Sequence, residues 1–421
     1  MERYKTYRPT NIPWLEEIPS HWREERAKYL FNKENRSVTA SDETITCFRD
    51  GQVTLRKNRR TEGFTESFKE IGYQGIRQGD LVIHQMDAFA GSTGVSDSDG
   101  KGTPVYHVCT PKVDYVNNYF FARVIRNMGL NGFIQSLYRG IRERSSDFRF
   151  DVFGRQLLPI PPLDEQEQIV RFLEINTLRI DGYKRERERE LRLLEELKQA
   201  EIANAITQGL NPNVEMKATG LSWLPLVPKH WRLVKIKYCF SERSQKGFPD
   251  EPILSATQSD GVIPQSLYEN RVVVVNKDFD KLKLVKIGDF VISLRSFQGG
   301  IEYAYYQGII SAAYTILEPK NKDYSPYYKH LFKCHPFIQL LQTCVTGIRE
   351  GQNINYPLLS KNFIPIPPIE EQMEIVNHIE KKLNMINSLI AELQSQIDFL
   401  NEYKQRLIAD AVTGQINVQQ I

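Results

Sequence analysis

Two stretches of this chain are almost one sentence: "LPIPPLDEQEQIV" from Leu158 to Val170 and "IPIPPIEEQMEIV" from Ile364 to Val376, at an offset of 206 residues. Whatever fold the first copy enters, the second must enter too. That constrains the chain more than any local propensity. The repeat continues on both sides. "PWLEEIPSHWR" (Pro13–Arg23) and "SWLPLVPKHWR" (Ser222–Arg232) hold all four tryptophans, Trp14, Trp22, Trp223 and Trp231, at offset 209. "GDLV" at Gly79 returns as "GDFV" at Gly288, offset 209, and "GIRE" at Gly140 returns at Gly347, offset 207. "LKQAEIANAIT" from Leu197 aligns with "YKQRLIADAVT" from Tyr403, again at 206. Five landmarks in one order describe a tandem duplication with a unit near 200 residues. This is far longer than a solenoid repeat, so each unit is a domain plus something more.

Within each unit the texture changes once. Residues 1–160 are rich in Tyr, Phe, Gly and Arg, with β-like runs such as "DLVIHQM" and turn signals such as "SDSDGKGTP". Residues 211–366 look alike, with "GDFVISLRSF" and "IISAAYTILEP". Segments 161–210 and 367–421 read instead as long helices, over 163–208 and 369–413. Pro161, Pro162, Pro367 and Pro368 are tolerated only before or in a first helical turn. Asp164, Glu165, Glu370 and Glu371 then complement the positive end of the helix dipole. In the second helix Val376, Ile379, Leu383, Ile386, Ile390, Leu393, Ile397 and Leu400 keep the 3-4 spacing of a coiled-coil seam. In the first, Leu173, Ile180, Leu191 and Leu194 fit, but Lys184 and Arg187 occupy equivalent positions. Its "KRERERELR" is either a solvated face or a surface that meets a partner protein. About 45 residues make a rod of roughly 65 Å, and helices this long need a partner along their length. The expected fold class is therefore α+β: two duplicated α/β globular domains separated by two long antiparallel coiled-coil helices. Two related heads on such a rod form a caliper, suited to duplex DNA read as two half-sites.

Several functions are excluded on sequence. The net charge is only +3, so nucleic-acid contact must come from local basic patches. The opening "MERYKTYRPTNIPWL" lacks a signal-peptide core, and no apolar run approaches the ~18 residues of a membrane span. Cys47, Cys109, Cys239, Cys334 and Cys344 form no CxxC pair, which points away from zinc or disulfides and toward a reducing cytoplasm. No phosphate loop of the GxxxxGK[ST] kind is present. "NPNV" at Asn211 breaks the [ND]-P-P-[FY] pattern of an adenine methyltransferase, and Asp250 and Glu318 stand 68 residues apart, too far to suggest a nuclease. Cys334 and His335 read as helix packing, and "GSTG" (Gly91–Gly94) and "QGG" (Gln298–Gly300) as turns. No catalytic residue, metal or cofactor is expected.

The order of "IPxHWR", a GD-hydrophobic-Val strand, a G-[IV]-R loop, "[LI]PIPP[LI]xEQ" and a helix ending "A[IV]T", given twice, resembles the specificity subunit of type I restriction-modification systems. The resemblance covers essentially the whole chain. It implies two target-recognition domains, each reading half of a split, asymmetric DNA sequence. It implies helices that set the spacer and dock two methyltransferase subunits, with restriction subunits joining the full complex. It also implies a chain that performs no chemistry itself.

Candidate DNA contacts follow from side-chain chemistry, since Arg, Lys, Asn and Gln read base edges and Arg, Lys and hydroxyls hold phosphates. In the first head "RKNRR" offers Arg56, Lys57, Arg59 and Arg60, and "YRGIRERSSDFR" offers Tyr138, Arg139, Arg142, Arg144 and Arg149. In the second, "SLRSFQGG" offers Arg295 and Gln298, and "GIREGQNINY" offers Arg349, Gln352, Asn353 and Asn355. Trp22 and Trp231 read as packing residues. Two other functions stay open: a protein scaffold that never meets DNA, and an enzyme with an unrecognised site.

Overall fold

A computed structural model describes residues 2–59, 71–137, 148–268, 279–346 and 353–420. By contacts the chain divides into unit 1, Met1–Arg187 with Gln396–Ile421, and unit 2, Glu188–Ser395. The two long segments are helices, Leu163–Gln208 and Ile369–Val412. Unit 1 thus holds the start of the first long helix and the end of the second. Unit 2 holds the converse.

Each head is built on a four-stranded antiparallel sheet of one order. In unit 1 it runs Phe31–Lys33, Tyr106–Pro111, Leu81–His84, Thr93–Val95. In unit 2 it runs Phe240–Arg243, Thr315–Pro319, Phe290–Ile292, Glu302–Tyr303. The repeated "GD" precedes the third strand in each order. Gly79 and Gly288 take φ of 88° and 91°, which a residue with a Cβ rarely adopts. The aspartate beside each closes the turn and receives an arginine. Asp80 accepts from Arg77 N (2.7 Å) and from the fork of Arg36. Asp289 accepts from Lys286 N (2.8 Å) and from Arg243 at 2.8 and 3.2 Å.

The proline joint and the tryptophan motif, distant in sequence, meet in each unit. Strand Leu157–Ile160 pairs with Arg23–Arg26, and Phe363–Ile366 with Arg232–Lys235. This brings the second acid of the joint onto the "HW" pair. Glu165 accepts from Trp22 Nε1 at 3.0 Å, His21 Nε2 at 2.8 Å and the Tyr4 hydroxyl. Glu371 accepts from Trp231 Nε1 at 2.9 Å and His230 Nε2 at 2.7 Å. The next residue, a glutamine, turns back on its own prolines: Gln166 Nε2 donates to Pro161 O at 2.9 Å and Gln372 Nε2 to Pro367 O at 2.8 Å. Trp22 and Trp231 are both 1% exposed, the core residues their motif suggested.

Each tryptophan also receives the end of a long helix. A Cβ on Gly414 would meet Pro19 and the Trp22 ring at 2.5 and 3.0 Å, and one on Gly209 would meet the Trp231 ring at 3.2 Å. Only glycine permits such an approach, and both also take positive φ, 73° and 76°. Within unit 1 the helices run antiparallel, since Asp181 binds Lys404 (2.7 Å) while Lys184 binds Asn401 (2.9 Å). The seam residues Val376, Ile379, Ile386, Leu393 and Ile397 are buried, as are Leu173 and Ile180. Met373, Met385 and Phe399, off the seam, are exposed.

Candidate nucleic-acid interface

The edge of each head is a β-hairpin facing a one-turn helix. In unit 1 the hairpin is Ile45–Cys47 with Val53–Leu55, and the turn is Ala88–Ala90. In unit 2 the hairpin is Leu254–Thr257 with Gly261–Pro264, and the turn is Ser296–Gly299. The registers coincide at offset 209: Ile45 faces Leu55 as Leu254 faces Pro264.

The sequence candidates distribute over these parts. Arg56 and Lys57 form the short helix after the first hairpin, Arg56–Asn58. Arg56 Nε reaches Thr46 Oγ1 at 3.4 Å, and Lys57 pairs with Glu43 at 2.5 Å. Arg59 pairs with Asp50 at 2.6 Å and lies over the Phe48 ring at 4.3 Å. The structure therefore gathers Arg56, Lys57 and Arg59 at the hairpin, each with an intramolecular partner. Arg295 caps the turn of unit 2, and Gln298 lies within it; both are exposed. Arg149 is exposed just before helix Phe150–Arg155. Asn353 is exposed on strand Asn353–Ile354, while Asn355 accepts from Leu358 N at 3.0 Å as a helix cap. Arg60, Tyr138, Arg139, Arg142, Arg144, Arg349 and Gln352 lie outside the described residues.

Two residues that sequence reading passed over tie hairpin to turn. Arg126, in helix Asn118–Leu130, donates to Arg49 O at the hairpin tip and to Gly91 O at the end of the turn. Lys333, at offset 207, donates to Gln258 O at 3.2 Å and Gly299 O at 2.9 Å, in the same two places. Lys333 spends its third proton on Glu302 at 2.6 Å. Burial pushes the Glu302 carboxyl up to about 7, against the nearby ammonium. Burial also pushes the Arg126 guanidinium down. The signal was available in sequence: a cation amid Val124, Ile125 and Met128 on an apolar helix, matched by another at the repeat spacing. "GSTG", read as a turn, starts at the end of one and runs into strand Thr93–Val95, while "QGG" closes the short helix Ser296–Gly299; one carbonyl in each, of Gly91 and Gly299, is held by the cation behind it. Cys334 and His335 separate: Cys334 is buried, whereas His335 is exposed and meets Gln339 at 3.1 Å.

Among the described residues no group of three or more His, Cys, Asp and Glu could hold a metal. No described helix is long and apolar enough to cross a membrane.

Comparison with known proteins agrees with this geometry. Residues 234–398 match the type I restriction modification DNA specificity domain. The chain is 24% identical over 285 residues to the type I restriction enzyme EcoBI specificity subunit of Escherichia coli, an alignment covering 62% of this chain and 59% of that protein. It is 21% identical to a putative type I restriction enzyme MjaX specificity subunit of Methanocaldococcus jannaschii, over 96% and 95% of the two chains. In fold it is similar to a chain from a study of complex assembly and conformational transition in a type I R-M system (TM-score 0.67, 17% identity, 95% and 99% covered). It is also similar to the HsdS subunit from Thermoanaerobacter tengcongensis (TM-score 0.53, 19% identity, 95% and 98% covered). The frame of the matched domain is repeated in unit 1, so the similarity to type I restriction enzyme specificity subunits reaches both halves of the chain.

Proposed function

We propose that this chain is the sequence-reading subunit of a type I restriction-modification complex, each head recognising one half of a bipartite, asymmetric DNA target. The observation that carries the reading is one frame used twice with different polar side chains at its edge. Arg49 at the tip of the first hairpin and Arg56 and Lys57 in the short helix after it stand where unit 2 has Gln258, Gln265 and Ser266. A duplicated frame with altered edges suits two different half-sites better than one symmetric partner, which is why the scaffold reading ranks behind it. In this reading the long helices set the spacer and dock methyltransferase subunits, restriction subunits complete the assembly, and the chain itself is non-catalytic.

The test is to express the chain with its methyltransferase partner in a methylation-free host and sequence the modified motif. A split, asymmetric motif is expected. Exchanging the first head, cut at Pro161, for a relative's should change one half only. A swap that alters both halves would mean one shared reading surface. A chain with no salt-dependent DNA affinity would favour the scaffold.

A further inference from the structure

Asp87 and Arg295 hold one place in one turn, with φ and ψ of −114° and 9° against −111° and 8°. Their charges are opposite. The Asp87 carboxylate is taken up by Arg49 of the hairpin tip at 3.0 Å. Arg295 is exposed, and its guanidinium meets no acceptor among the described residues. Beside it Gln298 and the hairpin's Gln258 are exposed too.

Behind this edge sits a costly arrangement. Taking an ammonium or guanidinium out of water carries a penalty that good hydrogen bonds must offset. Here both cations bind the carbonyls of two separate loops, so what the arrangement secures is the position of hairpin relative to turn. A phosphate contact does not need such rigidity, because a long flexible cation reaches an anion from many positions. A bidentate bond to a base edge does need it, since two parallel N–H groups must meet two acceptors in one plane.

Resting on the DNA-reading function above, we propose that hairpin tip and turn, locked together by Lys333 in unit 2 and Arg126 in unit 1, form the specificity-determining edge of each head. Arg295 is the group that reads a guanine edge in its half-target. Lys333 and Arg126 are positioning residues that never touch the base. In unit 1 the same edge presents the Arg49–Asp87 pair, so the base selected there differs.

The experiment is selection from a library of randomised duplexes by the full chain in complex with its methyltransferase subunit. The variants are Arg295→Ala, Lys333→Gln, Lys333→Arg and Arg126→Gln. Arg295→Ala should lose about ten- to a hundredfold discrimination at one base pair of one half-site and leave the other half intact. Lys333→Gln should blur that same half as a whole, Lys333→Arg should restore it, and Arg126→Gln should blur the opposite half. A uniform loss of affinity in Arg295→Ala, with preferences unchanged, would make Arg295 a phosphate contact and overturn the proposal. So would an unaltered selection. Arg295 is exposed, so its variant decides the matter even if Lys333→Gln does not fold. A parent complex that selects no sequence at all would instead overturn the proposed function, and the inference with it.

Discussion

The two proline joints use the same motif and differ in how completely they are closed. The Glu165 side chain is 1% exposed and takes three donors; that of Glu371 is 23% exposed and takes two. Gln166 satisfies both ends of its amide, accepting from Asn117 N at 3.0 Å, whereas the buried Gln372 Oε1 finds no partner among the described residues. The cause lies in the course of the chain beyond each long helix. After Gly414 the chain folds back: Tyr7 donates to Gly414 O at 2.8 Å and Asn417 N to Glu2 O at 2.9 Å. Ile416 and Val418 join the core. After Gly209 the chain must lead into the next head, and Leu210, Asn211 and Asn213 stand exposed. A repeated motif therefore fixes the contact and not its strength, because strength depends on neighbours the repeat does not supply.

The largest expected effect breaks this contrast directly. Glu165→Ala strands two buried donors, Trp22 Nε1 and the Tyr4 hydroxyl, beside the exposed His21, and should destabilise unit 1 by about 3–5 kcal/mol. Glu371→Ala leaves a site that water reaches and should cost unit 2 about 1–3 kcal/mol. Hydrogen exchange on strands Leu81–His84 and Phe290–Ile292 reads each unit separately. Equal losses would show that Tyr4 and the folded-back segment add nothing to the first joint.

The heads differ in a second way, through pH. On the strand pair where unit 1 sets Gly94 against Val82, unit 2 sets Glu302 against Val291. At offset 207, Arg123 of unit 1 stands where unit 2 has His330. Burial raises Glu302 from 4.5 to about 7, so the folded state holds its proton more tightly, and this contribution to stability fades as pH rises from about 4.5 to 7. Burial, then Lys329, lowers His330 to about 4, so its contribution is present above about 6.5 and fades as pH falls toward 4. Each slope is worth on the order of 3 kcal/mol, and they oppose. Unit 2 should look nearly pH-independent in this window until one group is removed. Glu302→Gln should then expose stability that falls with falling pH, and His330→Gln the reverse. Melting curves from pH 4 to 8 give the answer, and parallel curves for both variants would refute the opposition.

Much of the fold was legible because its signals are long and repeated. The joint at Pro161 and Pro367, the seam from Val376 to Leu400 and the buried tryptophans all follow from spacing and composition. What escaped depends on contacts far apart in sequence. Glu165 and Glu371 read as acids suited to a helix dipole, yet each is the shared acceptor of a "HW" pair 140 or more residues away. Arg126 and Lys333 were passed over: a cation in an apolar stretch hints at burial, but nothing local announces that two loop carbonyls will converge on it. Exposed candidates such as Arg295 were easier to name, since a cation in a loop-like stretch needs no tertiary knowledge to suggest a ligand.

The smallest expected effect concerns the helix pair inside unit 1. Lys184 occupies a seam position that the apolar pattern assigns to a residue like leucine, and its ammonium donates to Asn401 at 2.9 Å. One turn of helix away, Asp181 binds Lys404 at 2.7 Å. In unit 2 the seam itself is aliphatic, with Ile379 and Ile386 buried, and Glu201 meets His378 and Lys382 only at 3.8 and 4.0 Å. Polar pairs at seam positions fix register at some cost in stability. Lys184→Leu alone should be nearly neutral, because the apolar area gained is offset by an Asn401 carbonyl left without its donor. Lys184→Leu with Asn401→Leu should stabilise unit 1 by about 1 kcal/mol, the gain from burying two aliphatic chains less the hydrogen bond removed. The pairing should also become less exacting, so a cysteine pair placed one heptad out of register should cross-link more readily in the double variant than in the parent. A double variant that melts below the parent would mean that the polar pair contributes stability outright, and that the seam of unit 1 is held by its hydrogen bonds and not in spite of them.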